Sequence, residues 1–188
     1  MEQLTLSILE KSKVRIIAKS AFQFQIELVE QLGKDDIPKL MEVSEILVES
    51  LGTRMLLSKN NIKKYFNDKT LPFIARYRTE IIGYIIGVPL EYFKNESWSH
   101  IDVNLNKGNT LYTYAFVIKQ KYRKKGGYAK TLKKIYLNWA KKQPKITYVT
   151  GHVEQGITQN FTGNIEVVKS FPTWYDSNKP FEYYRRYL

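Results

Sequence analysis

Along the first twenty positions short apolar pairs are broken by lysines at no regular interval, and residues 1–20 take no element beyond an N-terminal extension. The first clean period starts at Phe22. In FQFQIELV, Phe22, Phe24, Ile26 and Leu28 share one face while Gln23, Gln25 and Glu27 share the other, the two-residue alternation of a half-buried strand. Asp35 and Asp36 then stand where a helix is capped, Pro38 suits a first turn, and Ile37, Leu40, Ser44, Leu47 and Leu51 recur at spacings of three and four. This predicts an amphipathic helix over 35–51, ending near Gly52. Ser58 is placed to cap a second, shorter helix through IKKYFNDK, which stops before Pro72 because the residue ahead of a proline is pushed out of helical geometry.

Residues 73–78 (FIARYR) and 81–88 (IIGYIIGV) read as the two strands of an antiparallel hairpin turned at Thr79 and Glu80. Residues 89–109 show no period and read as a long loop, with room for a helical turn, carrying Glu91, Glu96, Trp98, His100 and Asp102; loops of that length are usually functional or disordered. Beyond the central stretch, 146–153 (ITYVTGHV) is again β-rich. Residues 154–170 take no assignment, and WYDSNKPFEYYRRYL reads as a closing hairpin with its turn at 176–180. With no repeat and no linker, a single α/β domain over 1–188 is the economical reading.

The stretch that organises the chain is 110–142: a strand (TLYTYAFVIK), a basic turn with two glycines (QKYRKKGGYA) and a helix (KTLKKIYLNWAKK). In the helix Ala129, Leu132, Ile135 or Tyr136, and Trp139 line one side, while Lys130, Lys133, Lys134, Lys141 and Lys142 mostly face elsewhere. Gly126 and Gly127 let the backbone take positive φ and approach a ligand closely, just where the first free amides and the positive end of the helix dipole point outward. Such a turn suits a phosphate. Lys119, Lys121, Arg123, Lys124 and Lys125 surround it with cations.

Composition sharpens this reading. Thirty Lys and Arg against eighteen Asp and Glu give a formal charge of +12, which favours an anionic partner: nucleic acid, a membrane surface or a polyphosphate cofactor. There is no cysteine, and His100 and His152 are the only histidines, so catalytic thiols and a His/Cys metal site are excluded and no metal is expected. No apolar run approaches the roughly 20 residues of a membrane span, and the first residues lack a basic, apolar leader, which places the expected location in the cytosol.

The order of elements resembles the GNAT superfamily of N-acetyltransferases, in which a strand leads into an R/Q-x-x-G-x-G/A turn at the start of a helix. Lys124-Lys125-Gly126-Gly127-Tyr128-Ala129 fits that pattern with lysine in the R/Q place, and Leu132 stands where the family's helix usually has leucine. Counting instead from Tyr122-Arg123, similar to the family's common Tyr-Arg pair, makes Arg123 the key cation with one extra residue in the loop. The resemblance is clearest over 72–153. It implies an α+β fold with a mixed, mostly antiparallel sheet, helices on both faces, and strands four and five, here 110–119 and 146–153, splayed apart to admit acetyl-CoA. It also implies that Phe116, Val117 and Ile118 offer backbone groups to the pantetheine arm and an amide to the thioester oxygen, where charge develops in the transition state. The reaction implied is direct attack of a primary amine on the acyl carbon.

That attack requires a proton acceptor, and the departing thiolate benefits from a donor. His152 and Glu154 close the fifth strand and are the candidate acceptors. Members of the family often use a tyrosine on the helix after strand five as donor; here no tyrosine occurs between Tyr148 and Tyr175, and Gly156 and Gly163 weaken any helix there, so Tyr175 is the nearest downstream candidate. Glu91, Glu96 and Asp102 are candidates for attracting a cationic amine, from a small molecule or a protein. Two other readings stay open: a GNAT-like domain that binds acyl-CoA without turnover, and a basic nucleic-acid module, disfavoured because Tyr112 and Tyr114 alternate within a core strand. A homodimer is left open.

Overall fold

The computed structural model describes residues 10–21, 23–124 and 126–188. The undecided N-terminal stretch contributes β1 (Lys13–Lys19), an edge strand whose side chains lie at or near the surface, which is why it has no two-residue period. In β2 (Phe24–Gln31) the expected alternation holds from Phe24; Phe22 lies outside the described residues. The polar face of β2 is not solvated, however. Glu27 is buried and meets the Arg76 guanidinium at 3.0 Å, and the same guanidinium reaches Asp36 at 3.1 Å. Asp36 therefore makes no side-chain cap to α1 (Ile37–Leu51), which starts with Pro38 in its first turn and ends at Gly52. Asp35 instead accepts from the Ser12 amide at 2.9 Å, tying β1 to the helix start.

The second helix, α2, is a single turn, Ile62–Tyr65. β3 (Leu71–Tyr77) and β4 (Glu80–Pro89) form the expected hairpin, but its turn is Arg78 and Thr79 rather than Thr79 and Glu80: Arg78 takes the left-handed conformation at φ 55°, and Glu80 already pairs with Tyr77. The loop that follows holds two short 3-10 turns, Leu90–Phe93 and Ser97–Ile101. Then come β5 (Thr110–Ile118), a one-turn helix α3 (Gln120–Arg123), α4 (Tyr128–Lys141) and β6 (Tyr148–Glu154). The closing hairpin also differs from expectation. Its strands are β7 (Ile165–Phe171), from the stretch left unassigned, and β8 (Phe181–Tyr187); Trp174 and Ser177 make only an isolated bridge in the long connection.

Among the described residues eight strands form one sheet in the order β1-β2-β3-β4-β5-β6-β8-β7, antiparallel except for the β5–β6 pair. One face packs Leu40, Val43 and Leu47 of α1 against Tyr84, Ile86, Tyr112 and Val117; the other packs Leu132, Tyr136 and Ala140 of α4 against Phe73, Ile85 and Val149. Helices thus cover both faces, and each amphipathic stripe buries its apolar side in its own layer.

Two irregularities in the sheet make room for chemistry. The parallel ladder joins only Thr110, Leu111 and Tyr112 to Tyr148, Val149 and Thr150, after which β5 and β6 diverge. Because β1 precedes them, these are the strands expected as four and five. On its other side β5 carries a bulge: Ile86 pairs with Ala115 and Gly87 with Thr113, leaving Tyr114 as the extra residue. The bulge puts Tyr114 and Ala115 on the same side of the sheet, the kind of re-aiming that bulges impose beside active sites.

Candidate functional site

The fork between β5 and β6 opens into a cavity of about 250 Å³ lined from both helical layers, by Ile46, Ser50 and Leu51 of α1 and by Lys133, Tyr136 and Leu137 of α4. Beyond Tyr112 the edge of β5 facing β6 has no strand partner among the described residues, which leaves backbone groups there without a ladder to join. Phe116 lines the cavity; Val117 and Ile118 are buried, with backbone on the same edge.

Three residues after Arg123, which lines the cavity, the chain turns through Gly126 and Gly127, both left-handed at φ 61° and 63°, and Gly127 caps α4. Glycine serves two purposes here. A Cβ on Gly126 would come within 2.5 Å of the Tyr128 ring, whereas a Cβ on Gly127 would meet nothing within 4 Å among the described residues. Tyr128 itself packs its ring against Phe24, Tyr77 and Tyr122, and both it and Ala129 are half-buried.

The cations around the turn are not equivalent. Lys119 is held by Glu42 at 2.8 Å and Glu80 at 3.1 Å, and Lys121 by Glu80 at 3.0 Å. Arg123 donates from Nε to the Ile118 carbonyl at 2.9 Å and lines the cavity, while Lys124 is exposed on the turn; Lys125 lies outside the described residues. A further cation escaped the sequence pattern. Lys133, counted among lysines facing elsewhere, lines the cavity with Nζ 3.4 Å from the centre of the Phe161 ring, and burial, with the neighbouring Arg186, brings its pKa down to about 8.

Of the three residues expected to move protons, two border this cavity and one does not. Glu154 sits exposed on the cavity rim, paired with Lys179 at 3.1 Å. His152 also borders the cavity, but its ring is enclosed by aromatics, stacked on Trp174 with centres 3.3 Å apart and crossed by Trp98. Nδ1 lies 2.9 Å from the Tyr112 hydroxyl, Nε2 is buried without a partner among the described residues, and burial holds the pKa well below 6.5. Tyr175 is elsewhere. It lines a second cavity, of about 190 Å³, with Arg54, Tyr65, Phe93, Glu96 and Tyr114; its hydroxyl accepts from Trp98 Nε1 at 2.9 Å and donates to Glu96 at 3.4 Å. Tyr114, the bulged residue, lines both cavities and stacks on Tyr65 with ring centres 4.0 Å apart. Of the loop carboxylates, Glu96 reaches this second cavity, Glu91 accepts from the Gly108 amide, and Asp102 is buried against Tyr183 and Arg185.

The neutral His152 has a measurable consequence. An unfolded chain binds a proton at this histidine near pH 6.5 while the folded chain does not until well below, so the unfolded state holds more protons in that window and stability falls as pH drops below about 6.5. The expected slope is about 1.4 kcal/mol per pH unit for this one group. Urea midpoints from pH 7.5 to 5 should show the wild type falling faster than His152→Phe.

The acetyltransferase (GNAT) family model matches residues 41–161. Among solved structures, Arabidopsis thaliana NAA60 in complex with acetyl-CoA superposes with a TM-score of 0.63 at 14% identity, covering 88% of this chain and 99% of that one. A GNAT family acetyltransferase from Streptococcus pneumoniae gives 0.63 at 12% identity over 88% and 99% of the two chains, and the ribosomal-protein-alanine N-acetyltransferase from Brucella melitensis 0.55 at 14% over 82% and 95%. At such identities these likenesses speak for the fold. A comparison with curated protein sequences finds no match.

Proposed function

The chain belongs to the acetyltransferase (GNAT) family, and we propose that it transfers an acetyl group from acetyl-CoA directly to a primary amine. The observation that carries this reading is the fork itself: a parallel pair that stops after three residues, a cavity in the gap, and a left-handed glycine pair opening the helix whose Lys133, Tyr136 and Leu137 line that cavity. The pyrophosphate would lie on the free amides of α4 at Gly127, Tyr128 and Ala129, with Arg123 and Lys124 as counter-charges. The pantetheine arm would run along the unpaired edge of β5 past Phe116 to Ile118. Its thioester would then reach the bulge, where a backbone amide can donate to the oxygen that becomes negative during attack.

The acceptor would enter from the second cavity, with Tyr114 as the shared wall and Glu96 as the carboxylate that draws an ammonium group in. Glu154, rather than His152, is the group we assign to receive the amine proton, through water. His152 is walled off by rings and its basicity is suppressed by burial, whereas Glu154 stands exposed on the rim. The nucleic-acid alternative has little to stand on: Tyr112 is buried and Tyr114 is stacked on Tyr65, so their ring faces are already used. Among the described residues no helix is long and apolar enough to cross a membrane, and no cluster of three or more His, Asp or Glu is arranged to hold a metal.

Thiol release from acetyl-CoA in the presence of a panel of primary amines tests the reading; no release with any amine would count against it. With an active amine in hand, Glu96→Gln should raise KM for the amine about 10-fold while leaving KM for acetyl-CoA unchanged, the signature of a lost charge-assisted contact to one substrate only.

A further inference from the structure

Resting on the acetyl-transfer reading, a second question is what meets the sulfur when the carbon–sulfur bond breaks. Tyr175 is not placed to do so, since it lines the other cavity, beyond Tyr114. The hydroxyl-bearing residues Thr113, Tyr136 and Tyr184 line the cavity. Thr113 is the first residue of β5 past the paired segment, and its Oγ1 lies 3.1 Å from the Tyr136 hydroxyl. A Cβ on Gly87 would come within 2.7 Å of the Tyr136 oxygen, so the absence of a side chain at Gly87 is what lets the phenol reach the sheet. Gly87 pairs with Thr113, next to the bulged Tyr114, so the hydroxyl sits beside the irregularity near which the thioester would lie.

We propose that Tyr136, from the helix ahead of β6, is the catalytic donor to the departing thiolate. The amine nitrogen forms its bond to the acyl carbon, the carbon–sulfur bond breaks with its electron pair going to sulfur, and the Tyr136 hydroxyl passes its proton to sulfur. Glu154 takes the proton shed by the amine nitrogen, and the phenolate regains that proton from Glu154 through water, so the products are an amide and free coenzyme A thiol with both side chains restored. Thr113 can donate to the Tyr136 oxygen, which leaves the phenol's own proton for the cavity. Burial raises the pKa of Tyr136, so it carries this proton throughout the working pH range, and the same low-polarity surroundings that raise it also raise the basicity of a desolvated thiolate.

The ring of Tyr136 packs edge-on to Phe73, a contact that phenylalanine keeps, so Tyr136→Phe removes the hydroxyl with little change in packing. The expected result is a fall in kcat of about 100-fold, with KM for acetyl-CoA and the thermal shift on adding coenzyme A both retained. Gly87→Ala, which pushes the hydroxyl off the sheet, should lower kcat in the same direction. If Tyr136→Phe turns over at the wild-type rate, or if the loss of kcat appears instead in Tyr184→Phe or Lys133→Met, the assignment is overturned while acetyl transfer stands. If the wild type binds coenzyme A but acetylates no amine, the transfer reading and this proposal fail together.

Discussion

Replacing Gly127 by glutamate should abolish the stabilisation that acetyl-CoA gives the folded chain. At a ligand concentration one hundred times Kd, linkage predicts about 2.7 kcal/mol of added stability, or a rise in Tm of about 5–10 °C for a domain of this size. The substitution acts on the ligand more than on the fold. A Cβ at this position meets nothing within 4 Å, so the direct cost is the left-handed backbone at φ 63°, about 1–2 kcal/mol for a residue with a side chain. What the carboxylate adds is a negative charge above the free amides of α4, in the space a pyrophosphate would need, and it satisfies the helix dipole that would otherwise favour the ligand. Differential scanning fluorimetry with and without acetyl-CoA reads both effects: a lowered baseline Tm and no shift. Gly127→Ala pays the same backbone cost without the charge and should keep part of the shift. A full shift in the glutamate variant would remove the phosphate from this turn.

Much of this geometry is legible in the chain because it is local. The alternation in 110–119, the glycine pair and the helical spacing of Leu132 and Tyr136 each involve neighbours within a few positions, and β5, the turn and α4 fall where they predict. The helix after Pro38 is legible for the same reason. What escapes is whatever depends on partners far along the chain. Glu27 reads as a solvated residue on the polar side of β2, and only the fold brings Arg76 to it, 49 positions away, together with Asp36. Lys133 reads as one more surface lysine until Phe161 and Arg186 close over it. Tyr175 is near β6 in sequence order but belongs to the other cavity, because the connection between β7 and β8 folds back over Trp98. Tyr136 was visible only as a core position; the clue to a second role, Gly87 and Thr113 converging on its hydroxyl, lies on two other strands. The edge strand β1 had no pattern to read, since neither of its faces is fully buried.

Removing the Asp102 carboxylate should be among the most damaging single changes in the molecule. Asp102 stands at the end of the Ser97–Ile101 turn, is fully buried, and accepts from the Tyr183 hydroxyl at 2.6 Å and from Arg185 at 2.9 Å, so it fastens the loop between β4 and β5 to β8. In Asp102→Ala, Arg185 keeps only the exposed Glu166 at 3.1 Å, its Nε already lacks a partner, and the Tyr183 hydroxyl loses its acceptor. Breaking one side of a buried pair costs about 3–5 kcal/mol because the remaining charge stays desolvated, and for a domain of this size that lowers Tm by on the order of 10 °C. Asp102→Asn keeps an acceptor for Tyr183 and should lose less. Urea unfolding with an unchanged m-value would show that the loss is one of stability rather than of compactness. The same turn carries Trp98 and is preceded by Glu96, both of which line the second cavity, so at a temperature where Asp102→Asn remains folded its KM for the amine should rise while KM for acetyl-CoA does not. A variant that loses stability without that asymmetry would separate the fastening of the loop from the binding of the acceptor.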